Sequence, residues 1–287
     1  LFAIGGVGEQ TAPVQGSKAV TVFHIENVHL WDGVADPYLY SIAASLPGGD
    51  AVAVHFGCRK IDFKPDTGFW LNGRNVRLVG AARHQDRAGL GNALTPAEHE
   101  EDMQILRDMG ANTVRLAHYQ HAQYFYDLCD KYGLVAWAEI PYITEHLPEA
   151  NANALSQMEE LVTQNYNHPS IICWGLSNEI TVTTGVTEDL TANHRLLNDL
   201  CHRLDATRPT TMAHAFMLDP NDPFVQLPDI CSYNLYYGWY LGELQQNDEF
   251  FDTFHKNHPD CVIGLSEFGA DANPAYQSAR PERGDWS

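Results

Sequence analysis

Two glutamates in this chain stand where a pair of carboxyl groups could work on one substrate. Glu179 follows the run Ile171-Ile172-Cys173-Trp174-Gly175-Leu176-Ser177-Asn178, and Glu267 follows Cys261-Val262-Ile263-Gly264-Leu265-Ser266. Both runs are apolar and β-leaning, so each glutamate falls at the C-terminal end of an expected strand. Carboxyl groups at the ends of two buried parallel strands can face each other across a barrel mouth. Such a pair suits glycoside hydrolysis, with one group as proton donor and the other as nucleophile or base. Taken singly, either glutamate could instead pair with an Arg or Lys.

The surroundings repeat a strand–loop–helix unit. Expected strands are Val76–Val79, Asn112–Leu116, Leu134–Ala138, Ile171–Leu176, Thr210–His214, Ile230–Leu235 and Val262–Ser266. Most lack clean alternation, as strands covered on both faces do. Helices fall between them. Thr95-Pro96-Ala97-Glu98 gives an N-cap, a first-turn proline and a capping-box glutamate, and Gly110 ends that helix. Later apolar stripes are Phe125/Leu128/Cys129/Tyr132 before Gly133, Leu155/Met158/Val162, and Leu190/Leu197/Leu200/Cys201/Leu204 after Thr187. Alternating units over about two hundred residues predict a (β/α)8 TIM barrel with strands one to seven in view. A doubly wound sheet is the weaker alternative, because no Gly-rich phosphate loop follows the first strand. Nothing after Glu267 reads as an eighth strand, so the sequence is expected to be an internal stretch of a longer protein.

Residues 1–66 differ in texture. Lys18–Ile25 and Ala51–Cys58 are short β-branched runs separated by turns such as Pro47-Gly48-Gly49-Asp50. They predict the end of an immunoglobulin-like β-sandwich. The barrel domain is expected over 67–287, entered through a hairpin that turns at Asn72-Gly73. Seventeen basic against thirty-seven acidic residues give a net charge of −20, which disfavours nucleic acid or an anionic membrane as partner. No apolar run reaches the length of a membrane span. The six cysteines are scattered without a CxxC, so neither a zinc knuckle nor a disulfide framework is indicated. Unpaired thiols favour a cytoplasmic setting. Homo-oligomerisation is left open.

Several strings in order resemble glycoside hydrolase family 2, most closely its β-galactosidase branch. They include Leu30-Trp31 with Asp36-Pro37-Tyr38-Leu39-Tyr40, Phe69-Trp70-Leu71-Asn72-Gly73, Arg83-His84-Gln85-Asp86 and Val114-Arg115-Leu116-Ala117-His118-Tyr119. Trp174 to Glu179, Asn234 to Tyr240 and Ser266-Glu267-Phe268-Gly269 complete the set. The resemblance implies a retaining exo-β-glycosidase acting on terminal β-D-galactosides, or alternatively a β-glucuronidase. A uronate carboxylate would call for a cation that in that branch lies past Ser287, as would an eighth strand with a sugar-stacking tryptophan. An inactive or carbohydrate-binding fragment is the reading from another class.

The resemblance also implies roles. Glu179 would be the acid/base and Glu267 the nucleophile, which retention places about 5–5.5 Å apart. Tyr236 would hold Glu267 ionised, and Asn178 would meet the sugar 2-hydroxyl. His84, Asp86 and His118 would bind the remaining hydroxyls. Arg115 would stand behind Glu267, with Asn234 beside the site, and Trp239 could stack on sugar. Each has a plainer reading: His84 and His118 as satisfied core histidines, and Tyr236 and Trp239 as packing aromatics. No cofactor is expected. Large family members bind Mg2+ after the third strand, but here Ile143 falls where a carboxylate is needed and an alkyl group cannot ligate a hard cation. Glu145 and His146 could substitute only with a shifted register.

Overall fold

The computed structural model describes residues 1–270. It begins with an antiparallel sheet of β1 (Phe2–Ile4), β2 (Gly8–Gln10), β3 (Tyr40–Ser45) and β4 (Ala51–Phe56), in the order β2-β1-β3-β4. The Ala51–Cys58 expectation is met by β4. Lys18–Ile25 is not a strand: its one ladder contact is an isolated bridge between Gln15 and Lys18. Val20 and Val22 are exposed, and the segment is tied down by the Gln10 side chain, which bonds Thr21 and the carbonyl of Val22. β-branched composition marks a residue that suits a pleated surface, but it does not supply the partner strand.

A second small sheet, β5 (Ile61–Lys64), β6 (Gly68–Leu71) and β7 (Arg74–Asn75), joins this region to the barrel. The turn from β6 to β7 is Asn72-Gly73, with φ of 50° and 81°; two successive positive values are what a type I′ hairpin requires. The expected boundary at 66/67 falls in the turn between β5 and β6, so the joint is itself a paired sheet. Trp31 (0% exposed), Phe69 and Leu71 pack on Val135, Ile172 and Cys173 at the barrel floor. The Trp31 indole donates to the carbonyl of Asp130 at 2.9 Å.

Seven parallel strands follow, adjacent in space in their order in the chain. They are β8 (Gly80–Arg83), β9 (Thr113–Leu116), β10 (Val135–Glu139), β11 (Ile171–Asn178), β12 (Thr210–Ala215), β13 (Ile230–Asn234) and β14 (Val262–Glu267). Helices α1 (Pro96–Asp108), α2 (Gln123–Tyr132), α3 (Asn151–Asn165), α4 (Glu188–Leu204) and α5 (Gln246–Asn257) cover them. Six strands fall where expected, but the first is displaced. Val76 and Leu78 pack down against the joint cluster, and the strand is the small-residue run that follows. A Cβ on Gly80 would come within 1.9 Å of the Thr113 carbonyl, so β8 approaches β9 more closely than an apolar side chain allows. The eighth strand of the fold is not among the described residues.

Thr95 and Glu98 form the anticipated capping box on α1, and the Thr187 hydroxyl caps α4. α2 ends at Gly133 in the left-handed region (φ 79°), and any Cβ there would lie 2.2 Å from Gly33. α5, which carries Phe250, Phe251 and Phe254 against β13 and β14, was not foreseen. At the floor Arg208 donates to Asp205 (2.6 Å) and to the carbonyls of Ile171, Tyr166 and His168 (2.8, 2.9 and 2.7 Å). Arg59, from the joint side, donates to the carbonyls of Pro169 and Ile171. Among the described residues no helix is long and apolar enough to cross a membrane.

Candidate active site

The C-terminal ends of five strands bring one polar network together. β14 delivers Glu267, whose Oε1 accepts from Arg115 Nη1 at 2.6 Å and whose Oε2 accepts from the Tyr236 hydroxyl at 2.6 Å. Arg115 rises from β9 and is also bound by Glu139 of β10, through Nε and Nη2 at 3.0 Å each. Arg115 Nη2 reaches Asn178 Oδ1 at 2.8 Å as well. His118, beyond a cis peptide at Ala117–His118, sets Nδ1 2.7 Å from Glu139 and Nε2 3.5 Å from Glu267. Asn234 of β13 donates to Glu179 Oε1 (3.1 Å) and Asn178 Oδ1 (3.2 Å), and is itself oriented by the Ser266 hydroxyl at 2.7 Å.

β11 reaches this point with a register slip: Gly175 pairs with Thr211, but Asn178 pairs with Ala213. Ser177 therefore faces α4, where its Oγ meets His194 at 2.8 Å, while Asn178 faces Arg115. Glu179 follows in the left-handed region (φ 46°), its N–H on the carbonyl of Ala213 at 2.8 Å. Asn178 Oδ1 is held by two donors, so its NH2 is the end left to meet a ligand oxygen.

Charge is set by the same contacts. Burial would raise the Glu267 pKa, but the Arg115 charge, the Tyr236 hydrogen bond and His118 outweigh it and hold the carboxyl below its ordinary range. Burial would lower that of Arg115, but Glu139 first and Glu267 second hold it up. Tyr236 is raised by burial and by its bond to Glu267, so it stays a donor. Partial burial and neighbouring His118 lower His84.

Among the residues expected from sequence, Glu179, Glu267, Asn178, Tyr236, Arg115, Asn234 and His118 meet in one network. His84 stands at its edge, ring centroid 5.1 Å from that of His118 and Nδ1 3.4 Å from the Tyr119 hydroxyl. Asp86 is exposed and acts on His84 through charge. Trp239 packs against Tyr240 at 3.8 Å and Tyr236 at 5.6 Å, with its indole N–H buried and unpartnered among the described residues. Sequence reasoning missed Glu139 and Ser266, which resemble ordinary strand-end residues. It also missed Arg83, which pairs twice with Asp102 of α1 at 2.9 and 2.7 Å and so anchors the loop that carries His84. Ile143 pairs with Asn178 by a bridge, and His146 uses both ring nitrogens on Tyr142 and Asp189. Among the described residues one metal-capable group is Asp127, Asp130 and His168, whose Asp130 carbonyl holds Trp31 at the floor.

Residues 64–279 match the family described as glycosyl hydrolases family 2, TIM barrel domain. The chain belongs to glycoside hydrolase family 2. It is 40% identical over 278 residues to a β-glucuronidase of Bacteroides fragilis, a match covering 91% of this chain and 39% of that protein. It is 37% identical over 203 residues to a β-galactosidase of Thermoanaerobacterium thermosulfurigenes, covering 67% of this chain and 27% of that one. The solved structure of an FMN-binding β-glucuronidase from Facaelibacterium prausnitzii L2-6 superposes with a TM-score of 0.90 at 40% identity, over 98% of this chain and 45% of that chain. The chain thus spans less than half the length of these family 2 relatives.

Proposed function

We propose that this chain is the catalytic barrel region of a retaining exo-β-glycosidase whose substrates are β-D-glucuronides. Glu267 attacks the anomeric carbon while Glu179 gives its proton to the departing oxygen, leaving a glycosyl ester on Glu267. Glu179 then takes a proton from water, which attacks from the face the leaving oxygen vacated, opposite Glu267; the ester bond breaks, the sugar leaves with its original anomeric configuration and both groups are restored. Asn178 donates its amide to the sugar 2-hydroxyl, and His84, Asp86 and His118 take the others. The observation that carries the reading is the hold on Glu267: Arg115 on one oxygen and Tyr236 on the other, with its ionised form favoured.

The β-galactoside expected from sequence yields to the glucuronide on the relatives' names, since the Bacteroides and Facaelibacterium relatives are both called β-glucuronidases. A panel of nitrophenyl β-glycosides on the complete protein tests this, with the glucuronide expected to turn over fastest. A 2-deoxy-2-fluoro glucuronide should label Glu267 covalently. Label on another residue, or an inverted product by NMR, sinks the mechanism; faster galactoside turnover sinks the substrate.

A further inference from the structure

Glu139 has no part in that mechanism, yet it is 1% exposed and both its oxygens are engaged by functional residues. Oε1 accepts from Arg115 Nη2 and His118, and Oε2 accepts from Arg115 Nε. His118 Nδ1 lies 2.7 Å from Glu139 and 3.2 Å from Arg115 Nη2. A guanidinium only donates and a carboxylate only accepts, so Nδ1 cannot serve both. The shorter contact puts a proton on Nδ1, donated to Glu139, and turns the Nε2 side of the ring toward Glu267. Arg115 gives Glu267 a single hydrogen bond, because its Nε and Nη2 are engaged by Glu139 and Asn178. β11 makes room for this arrangement. A Cβ at Gly175 would lie 2.4 Å from Glu139 Cβ and 2.5 Å from Trp137 Nε1.

We propose that Glu139 is a positioning residue for the nucleophile: it divides Arg115 between two carboxylates and holds the His118 ring by its Nδ1 proton. Arg115 thereby supports the Glu267 carboxylate through one hydrogen bond and not a bidentate ion pair, which would blunt its attack. The kinetic part of this inference rests on the glycosidase reading; the electrostatic part does not. The groups coupled to Glu267 are Arg115 from β9, His118 beyond it, His84 beyond β8, Tyr236 beyond β13, on which Glu179 beyond β11 also acts, and, through Arg115, Glu139 from β10.

The test is Glu139→Gln in the complete protein. Glutamine keeps the shape but removes the charge, and it sets one acceptor and an NH2 among three donors. With glutamate side chains labelled at the carboxyl carbon, and Glu267→Gln identifying the signal, the Glu267 carboxyl should titrate at lower pH in Glu139→Gln than in wild type. Removing an anion leaves the Arg115 charge acting on Glu267 less opposed. The acid limb of kcat/KM should move the same way, and kcat should fall about 100-fold with KM little changed. An unmoved Glu267 titration in folded Glu139→Gln overturns the proposal. If that variant does not fold, Glu139→Asp keeps the charge at shorter reach; it should lower kcat with the acid limb in place, and a wild-type kcat there overturns the proposal. A moved titration in a protein that hydrolyses no β-glycoside supports the role of Glu139 and sinks the glycosidase reading alone.

Discussion

Arg115 and Arg208 are both buried, and both sit in polar networks, but at opposite ends of the barrel. Arg208, at the floor, is closed by Asp205 and three backbone carbonyls. Asp205 is closed in turn by Thr207 and the Trp174 indole. Arg115, at the mouth, is shared among side chains from three other strands, and the carboxylate it holds is partly open. The floor network closes the Arg208 charge on one carboxylate and three fixed backbone carbonyls, which holds two regions of the chain together. The mouth network leaves groups whose remaining valence a ligand can complete. The same residue type thus serves stability at one end and chemistry at the other, according to whether its partners are mostly backbone carbonyls or side chains that a ligand can reach.

The contrast breaks if damage at the mouth unfolds the protein or damage at the floor slows the chemistry. The largest expected effect is at the mouth. Glu179→Ala should lose about 10²- to 10⁴-fold in rate on substrates whose leaving oxygen needs a proton, as removal of a general acid does. Azide, which needs no general base, should restore turnover, and the melting temperature should stay near wild type. Next comes the floor. Arg208→Met leaves Asp205 buried without its counter-charge and should cost about 3–5 kcal/mol, read by denaturant unfolding. The molecules that remain folded should keep their kcat.

The smallest of these effects, read per pH unit, is pH-dependent and concerns the shell between the two networks. Burial pushes His121 and His194 down to about 3, although backbone carbonyls of Ala117 and Leu190 oppose it. An unfolded histidine takes up its proton near 6.5. Above that pH neither state is protonated and there is no penalty. As pH falls from about 6.5 toward about 3, the unfolded state binds protons that the folded state refuses, and stability declines by up to about 1.4 kcal/mol per unit for each group. Melting curves between pH 7 and 4 should show this, and His194→Asn should flatten the slope. Equal slopes in the two proteins would remove His194 from the account.

Local signals made much of the fold legible. Capping residues at Thr95 and Thr187, the Asn72-Gly73 turn and apolar runs from β9 to β14 all mark real elements, because each depends on its own few residues. Lys18–Ile25 and the first barrel strand were misread for opposite reasons. The former has strand-like residues and no ladder; the latter has a ladder and small residues, since Gly80 must clear Thr113. At the site, the two strand-end glutamates stood out by position, and motif resemblance supplied most of the rest. Glu139 was invisible because its role lies wholly in its contacts: nothing in Val135–Glu139 says that Arg115 and His118 will converge on it.

β11 takes three steps from Gly175 to Asn178 where β12 takes two from Thr211 to Ala213. In flat alternation, residues three apart face opposite ways. The extra step puts Gly175 and Asn178 on one side and leaves Ser177 to His194. The strand end thus carries something like a reading frame. A one-residue insertion or deletion that the ladder did not absorb would hand the mouth a serine hydroxyl in place of an amide, with every letter of Leu176-Ser177-Asn178-Glu179 still in place. For this strand, counting residues matters as much as naming them.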